Sequence, residues 1–195
     1  MNKLIDGVKK FQSDVYPTNK ALFEKLATGQ APEALFITCS DSRIDPNLIT
    51  QTQPGDLFVC RNAGNMVPPH SHDVSGMTAS IEYAISALNI KDIVICGHSN
   101  CGAMNAALAP DNIQGLPHVK EWLGHCRAAV ASVEHKHECG SQELTAAQLD
   151  EVIKENVVLQ IQNIKTHPAV YAKFMAGEVK IHGWVYDIET GNVEY

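Results

Sequence analysis

Short apolar runs alternate along this chain with segments in which apolar residues recur every three to four positions. Three of the runs are rich in β-branched residues and predict strands over residues 33–39, 57–60 and 91–96. Nearly continuous apolar strands are typical of a parallel sheet that is buried on both faces. Strands separated by helical segments therefore favour an α/β fold, with residues 1–195 forming a single domain.

The helical segments predict an N-terminal arm and helices that flank the sheet. Leu4, Val8, Phe11 and Val15 recur at helical spacing and predict a first helix that stops at or before Pro17. Further helices are predicted over residues 19–27, from Asp45, from Asp73 or Ser75 to 88, and over 101–108, 118–134, 145–165 and 168–175. Residues 1–28 form the arm and residues 33–195 form the α/β core. The arm could pack on its own core or on a second subunit.

The end of the chain predicts a change of strand direction. Residues 179–186 read as a fourth strand, and the sequence Glu189-Thr190-Gly191-Asn192 reads as a hairpin turn. Residues 193–195 then begin a short antiparallel strand at the edge of the sheet.

Charge and composition argue against nucleic acids and membranes as partners of this protein. The chain carries a formal net charge of −7, which argues against nucleic acid as a partner because phosphate binding needs clustered cations. No apolar run approaches the roughly 18 residues of a membrane span. The N-terminus lacks the pattern of a signal peptide. We therefore expect a soluble, cytoplasmic protein without a membrane partner, whose six cysteines stay reduced.

Residues that bind metals stand at the ends of two predicted strands. Cys39 ends the first strand, and His98 and Cys101 follow the third. The strands of a parallel sheet end at one edge, so these side chains converge if the two strands are neighbours. Two thiolates and one imidazole favour zinc over magnesium or calcium. We therefore predict one zinc ion per chain.

Three protein ligands leave a fourth position for water, which is typical of catalytic rather than structural zinc. Zinc-bound water ionises near neutral pH and becomes a nucleophile. Two thiolates cancel the charge of the ion, so this water should be less acidic than in a site of three histidines. We expect activity to rise toward alkaline pH.

Asp41 and Arg43 follow Cys39 at spacings that direct them to the same side. Arg43 can fork onto the Asp41 carboxylate, which would keep Asp41 ionised and able to accept a hydrogen bond from zinc hydroxide. An isolated Asp-x-Arg is often only a surface ion pair. Asp41 could instead be a fourth zinc ligand that closes the site, and spacing does not separate these roles.

The two motifs together resemble those of the β-class carbonic anhydrases. The residues are Cys39-Ser40-Asp41-Ser42-Arg43 and Gly97-His98-Ser99-Asn100-Cys101-Gly102. The resemblance spans nearly the whole chain and is greatest to the bacterial branch associated with cyanate metabolism. It implies reversible hydration of carbon dioxide to bicarbonate and a proton, by attack of zinc-bound hydroxide.

The resemblance also implies roles for individual residues. Cys39, His98 and Cys101 would bind zinc, and Asp41 and Arg43 would form the catalytic pair. The substrate pocket would be formed by Gln30 of a neighbouring subunit and by Phe58, Ala63, Tyr83 and Gly102, the last through its backbone N–H. Because family members share the pocket across an interface, a homodimer or a larger assembly such as a tetramer is expected.

One departure from the bacterial family pattern favours the plant-like type, in which the fourth coordination position of zinc stays open. Some bacterial members hold an inhibitory bicarbonate with a Trp–Arg–Tyr set. In this chain Tyr186 matches, but Phe36 stands at the Trp position and Ile44 follows Arg43. Three alternatives remain: a hydrolase of carbon disulfide or carbonyl sulfide, a non-catalytic zinc-binding or carboxysome-type structural protein, and a redox protein that uses Cys39 and Cys101.

Overall fold

A computed structural model describes residues 1–71, 74–137 and 145–195. The described residues form one five-stranded sheet in the order β2-β1-β3-β4-β5. Strands β1 to β4 run parallel to their neighbours, and β5 pairs antiparallel with β4. This confirms the predicted α/β class and the antiparallel edge. The strands are β1 Ala34–Cys39, β2 Leu57–Asn62, β3 Asp92–His98, β4 Lys180–Tyr186 and β5 Val193–Glu194.

Residues Met1–Ala31 form a compact helical unit of their own. Its elements are α1 Asn2–Lys10, a π-helical turn Phe11–Val15, α2 Tyr16–Thr18 and α3 Lys20–Leu26. The helical turns predicted to stop at or before Pro17 end at Val15, and α2 begins directly after them at Tyr16. Pro17 lies in the first turn of α2, where the N–H that proline lacks would have no helical partner.

Residues Pro32–Tyr195 form the second compact unit, which contains the sheet. Its helices are α4 Pro46–Thr50, α5 Gly76–Glu82 with a π-helical turn Tyr83–Ala87, α6 Gly102–Leu108, α7 Pro117–Trp122, α8 Arg127–Lys136, α9 Ala146–Ile164 and α10 Pro168–Met175. None of the described helices is long and apolar enough to cross a membrane.

Side-chain caps set several of these helix starts. The Asp45 carboxylate accepts the N–H groups of Asn47 and Leu48, and Ser75 Oγ accepts the N–H of Thr78. Asp73, the alternative cap, lies outside the described residues. Thr145 forms a reciprocal capping box with Gln148.

The predicted helix over residues 118–134 is interrupted. A 3₁₀ turn, Leu123–Cys126, separates α7 from α8, and it contains Gly124, a weak helix former. Helix α8 extends to Lys136, two residues beyond the predicted end at residue 134. Residues 138–144, which follow it, are not described.

Helix α9 lies very close to the sheet. A Cβ atom built on Gly97 would lie 2.9 Å from Val157 Cγ2, and one on Gly183 would lie 2.7 Å from Ile161 Cδ1. Only glycine allows this approach without movement of the helix. Because Gly97 lies near the carboxyl end of β3, this close packing brings α9 to that end of the sheet.

Candidate metal centre and active site

Three buried side chains meet at the carboxyl ends of two adjacent strands. Strand β1 pairs directly with β3, so Cys39 at the end of β1 lies near His98 at the end of β3. Cys101 directly precedes α6. The candidate ligand atoms of these three residues all lie within 4.8 Å of one another, and within the described ranges no other group of His, Cys, Asp and Glu does so.

His98 presents the nitrogen that a metal needs. Its ring Nδ1 lies 3.0 Å from the carbonyl oxygen of Ser99. A carbonyl only accepts, so Nδ1 carries the proton and Nε2 has a free lone pair. His98 is fully buried, and among the described residues Nε2 has no hydrogen-bond partner. A buried nitrogen of this kind fits a metal ligand, because burial without a partner is costly.

The two thiols behave as a pair that shares a proton. A hydrogen bond with Cys101 lowers the pKa of Cys39, while the same partner and burial raise the pKa of Cys101. The backbone N–H of Gly64 also donates to Cys39 Sγ, at 3.4 Å. Two sulfurs and one imidazole nitrogen are the donor set that zinc prefers. These residues therefore fit a zinc ion.

Asp41 and Arg43 form a forked ion pair beside this cluster. Arg43 Nε donates to Asp41 Oδ1 at 2.9 Å, and Nη2 donates to Oδ2 at 2.7 Å. The backbone N–H of Arg43 adds a third bond to Oδ1, at 3.0 Å. The guanidinium holds the pKa of the Asp41 carboxyl well below its usual range. Asp41 Oδ2 lies 3.9 Å from His98 Nε2, so an ionised carboxylate borders the metal centre.

Arg61 supports the segment that carries Cys39 and Asp41. Its Nε donates to the carbonyl of Cys39 at 3.1 Å, and its Nη2 donates to the carbonyl of Asp41 at 2.8 Å. The sequence predicts no role for Arg61. Its position follows from the parallel register, which places it opposite Thr38, and a sequence alone does not give that register.

The predicted pocket residues are only partly brought together. The rings of Phe58 and Tyr83 lie 6.1 Å apart, centroid to centroid. The carbonyl of Ala63 accepts a hydrogen bond from Trp122 Nε1 at 2.9 Å. Gly102 is the exposed first residue of α6, and Gln30 is an exposed residue of the N-terminal unit. Their contacts with substrate remain predictions.

Comparison with known proteins identifies the family to which this chain is similar. A family model described as carbonic anhydrase matches residues 34–193. A carbonic anhydrase of Pseudomonas aeruginosa is 49% identical over 194 residues, which cover 100% of this chain and 86% of that protein. One from Synechococcus elongatus is 48% identical, with 99% of this chain and 70% of the relative covered.

Solved structures agree in fold as well as in sequence. The β-carbonic anhydrase CcaA superposes with a TM-score of 0.94 at 43% identity, covering 99% of this chain and 86% of that one. A tetrameric β-carbonic anhydrase of Sordaria macrospora gives a TM-score of 0.86 at 32% identity, covering 99% and 94%. The chain belongs to the β-class of the carbonic anhydrases, zinc enzymes that reversibly hydrate carbon dioxide to bicarbonate and a proton.

Proposed function

We propose that Cys39, His98 and Cys101 hold the catalytic zinc ion, and that Asp41 and Arg43 act beside it without binding it. The observation that carries this proposal is the forked pair at the edge of the three-residue cluster. Zinc held there supplies Lewis-acid chemistry, because it lowers the pKa of a coordinated water enough to give a nucleophile near neutral pH.

Asp41 serves as a hydrogen-bond acceptor in this proposal. Arg43 keeps its carboxyl ionised, so Asp41 accepts rather than donates a hydrogen bond when it orients the attacking oxygen. Arg43 fixes the carboxylate from two directions and also donates to the carbonyl of Asn100 at 3.0 Å. Holding the acceptor in one orientation favours the reacting geometry.

The same contacts support Asp41 as a residue that stays off the metal. Moving it onto zinc would break three hydrogen bonds from Arg43. Phe36, at the family's Trp position, is fully buried and packs edge-on against Trp184 at 5.8 Å. A phenyl ring has no N–H with which to hold an inhibitory bicarbonate.

Phe58 and Tyr83 supply an apolar and aromatic wall for carbon dioxide in this proposal. The substrate carries no net charge, so a small apolar surface suits it better than a cation. The Gly102 backbone N–H binds product bicarbonate, and Gln30 and Ala63 complete the pocket as the family resemblance implies.

We further propose that the protein is a dimer or an assembly of dimers. One structural relative is described as tetrameric. Within the N-terminal unit, the apolar residues Leu4, Val8 and Phe11 are 70%, 56% and 41% exposed. Exposed apolar residues at helical spacing favour a protein contact.

The test is carbon dioxide hydration by stopped flow, on protein whose zinc content has been measured. Asp41→Asn keeps the shape of the side chain but removes the charge. We expect zinc content to stay the same while the hydration rate falls by about 10²-fold or more.

Asp45→Asn is the matched control, since Asn caps a helix about as well as Asp. It should keep the wild-type rate. A wild-type rate in Asp41→Asn would contradict the proposed role.

A further inference from the structure

The loop of residues 62–67, here called the ligand loop, brings a backbone donor to the metal centre. It follows β2 and carries Gly64, whose N–H donates to Cys39 Sγ. A hydrogen bond to a metal-binding thiolate affects how strongly that sulfur binds the metal. The position of the ligand loop therefore matters for the centre.

Two amide side chains of α9 hold this loop. Asn156 Nδ2 donates to the carbonyl of Gly64 at 3.1 Å, and Gln160 Oε1 accepts the N–H of Val67 at 2.8 Å. The amides are four residues apart, on one face of the helix. They also bond each other, with Gln160 Nε2 donating to Asn156 Oδ1 at 2.8 Å.

Both amides occupy positions that face the core. Asn156 is 1% exposed and Gln160 is 0% exposed, while their neighbour Val157 packs in the apolar core. Buried polar groups are costly unless they are fully paired. Here each amide pairs with a backbone group of the ligand loop, so the two side chains fix the position of that loop.

The backbone conformation and close neighbours of Gly64 favour glycine at this position. Its φ is +79°, a conformation that favours glycine. A Cβ atom there would lie 2.9 Å from both Met104 Cε and Met66 Cε. The direction of the Gly64 N–H then depends on the residues that bind the ligand loop.

We infer that Asn156 and Gln160 are positioning residues of the metal centre, which act through the ligand loop to hold the Gly64 N–H on the Cys39 sulfur. The inference rests on the proposed zinc binding by Cys39. Neither amide contacts the cluster itself in the hydrogen bonds described.

The variants Asn156→Leu and Gln160→Met test the inference. Each keeps about the same side-chain size and removes the bond to the ligand loop. We expect zinc affinity, measured by competition with a chelator, to fall about 10-fold. We also expect the cobalt(II)-substituted variants to show a shifted thiolate-to-cobalt absorption band, since the Cys39 sulfur has lost a donor.

Ile164→Ala is the matched control for loss of stability. Ile164 is a fully buried residue of the same helix, but it packs in a different core cluster from Cys39 and Cys101. It should lower the melting temperature and leave zinc affinity and the cobalt spectrum unchanged. Asn156→Leu breaks fewer hydrogen bonds than Gln160→Met, and it serves if Gln160→Met does not fold.

Wild-type zinc affinity and an unchanged cobalt spectrum in folded Gln160→Met and Asn156→Leu would overturn the inference alone. The wild-type protein is measured first, without any substitution. If its cobalt form has no thiolate band, the proposed ligand set fails, and the inference fails with it.

Discussion

At the scale of single residues, the site depends on pairs in which one group fixes the charge or the tautomer of a neighbouring side chain. Arg43 keeps Asp41 ionised, and the Ser99 carbonyl fixes the tautomer of His98. The convergence of Cys39, His98 and Cys101 was predictable, because these residues stand where apolar runs end. The Gly64 N–H and the contacts of Arg61 were not, since they depend on loop conformation and strand register.

Arg43→Lys should lower activity without loss of metal. Lysine keeps the charge but cannot fork onto a carboxylate, so Asp41 would be less well oriented. We expect the rate of carbon dioxide hydration to fall by about 10- to 100-fold at unchanged zinc content. Arg127→Lys, at an exposed helix position, is the control. Equal rates for both variants would show that the fork is not needed.

His167 should make the fold less stable in acid. The residue is 3% exposed, and its Nε2 lies 2.9 Å from the carbonyl oxygen of Pro68. Burial lowers the pKa of His167 from its ordinary value of 6.5. The unfolded chain therefore takes up a proton at a higher pH than the folded one, and stability is lost as the pH falls below 6.5.

Urea unfolding at several pH values measures this effect. His167→Asn removes the titrating group, so its free energy of unfolding should fall less steeply below pH 6.5 than that of the wild type. An identical slope in both proteins would contradict the assignment. His125, whose pKa is also lowered by burial, should account for part of the remaining slope.

At the scale of elements, helix starts were easier to predict than interruptions. Two helices begin as predicted after Asp45 and Thr145. These side chains accept hydrogen bonds from N–H groups in the first turn, which have no partner within the helix. The 3₁₀ turn at Leu123–Cys126 was missed, because apolar spacing continues across it and only Gly124 marks it. Strand β3 runs to His98, two residues beyond the prediction, because Gly97 and His98 pair with Val185 and Tyr186 of β4.

Gly183→Ala should destabilise the contact between α9 and the sheet. The added methyl would lie 2.7 Å from Ile161 Cδ1 and 2.9 Å from Val157 Cγ1. We expect a loss of about 1–3 kcal/mol in the free energy of unfolding, measured in urea. Gly124→Ala is the control, because nothing lies within 4 Å of a Cβ atom there. A Gly183→Ala protein as stable as this control would show that the helix can move away freely.

At the scale of the whole molecule, the fold class followed from the alternation of strands and helices. The strand order did not, because apolar runs give no information on which strands are neighbours. The order β2-β1-β3 is what brings Cys39 and His98 together. The number of subunits could not be predicted either, because the apolar pattern of one chain does not show which surfaces contact another subunit.

Light scattering after size-exclusion chromatography should give the mass of a dimer or a multiple of it. The double variant Leu4→Glu/Val8→Glu places charges on the exposed apolar side of α1, so we expect a smaller mass. Lys10→Glu changes charge in the same helix without removing an apolar residue and should leave the mass unchanged. A monomeric wild-type protein would contradict the proposed assembly.

The central claim is that one zinc ion per chain, at Cys39, His98 and Cys101, supports hydration of carbon dioxide. The most direct test removes the metal with a chelator, returns zinc in steps and measures the hydration rate by stopped flow after each addition. We predict a rate close to zero without metal, which rises in proportion to zinc and stops rising at one ion per chain. Full activity in metal-free protein would contradict the account.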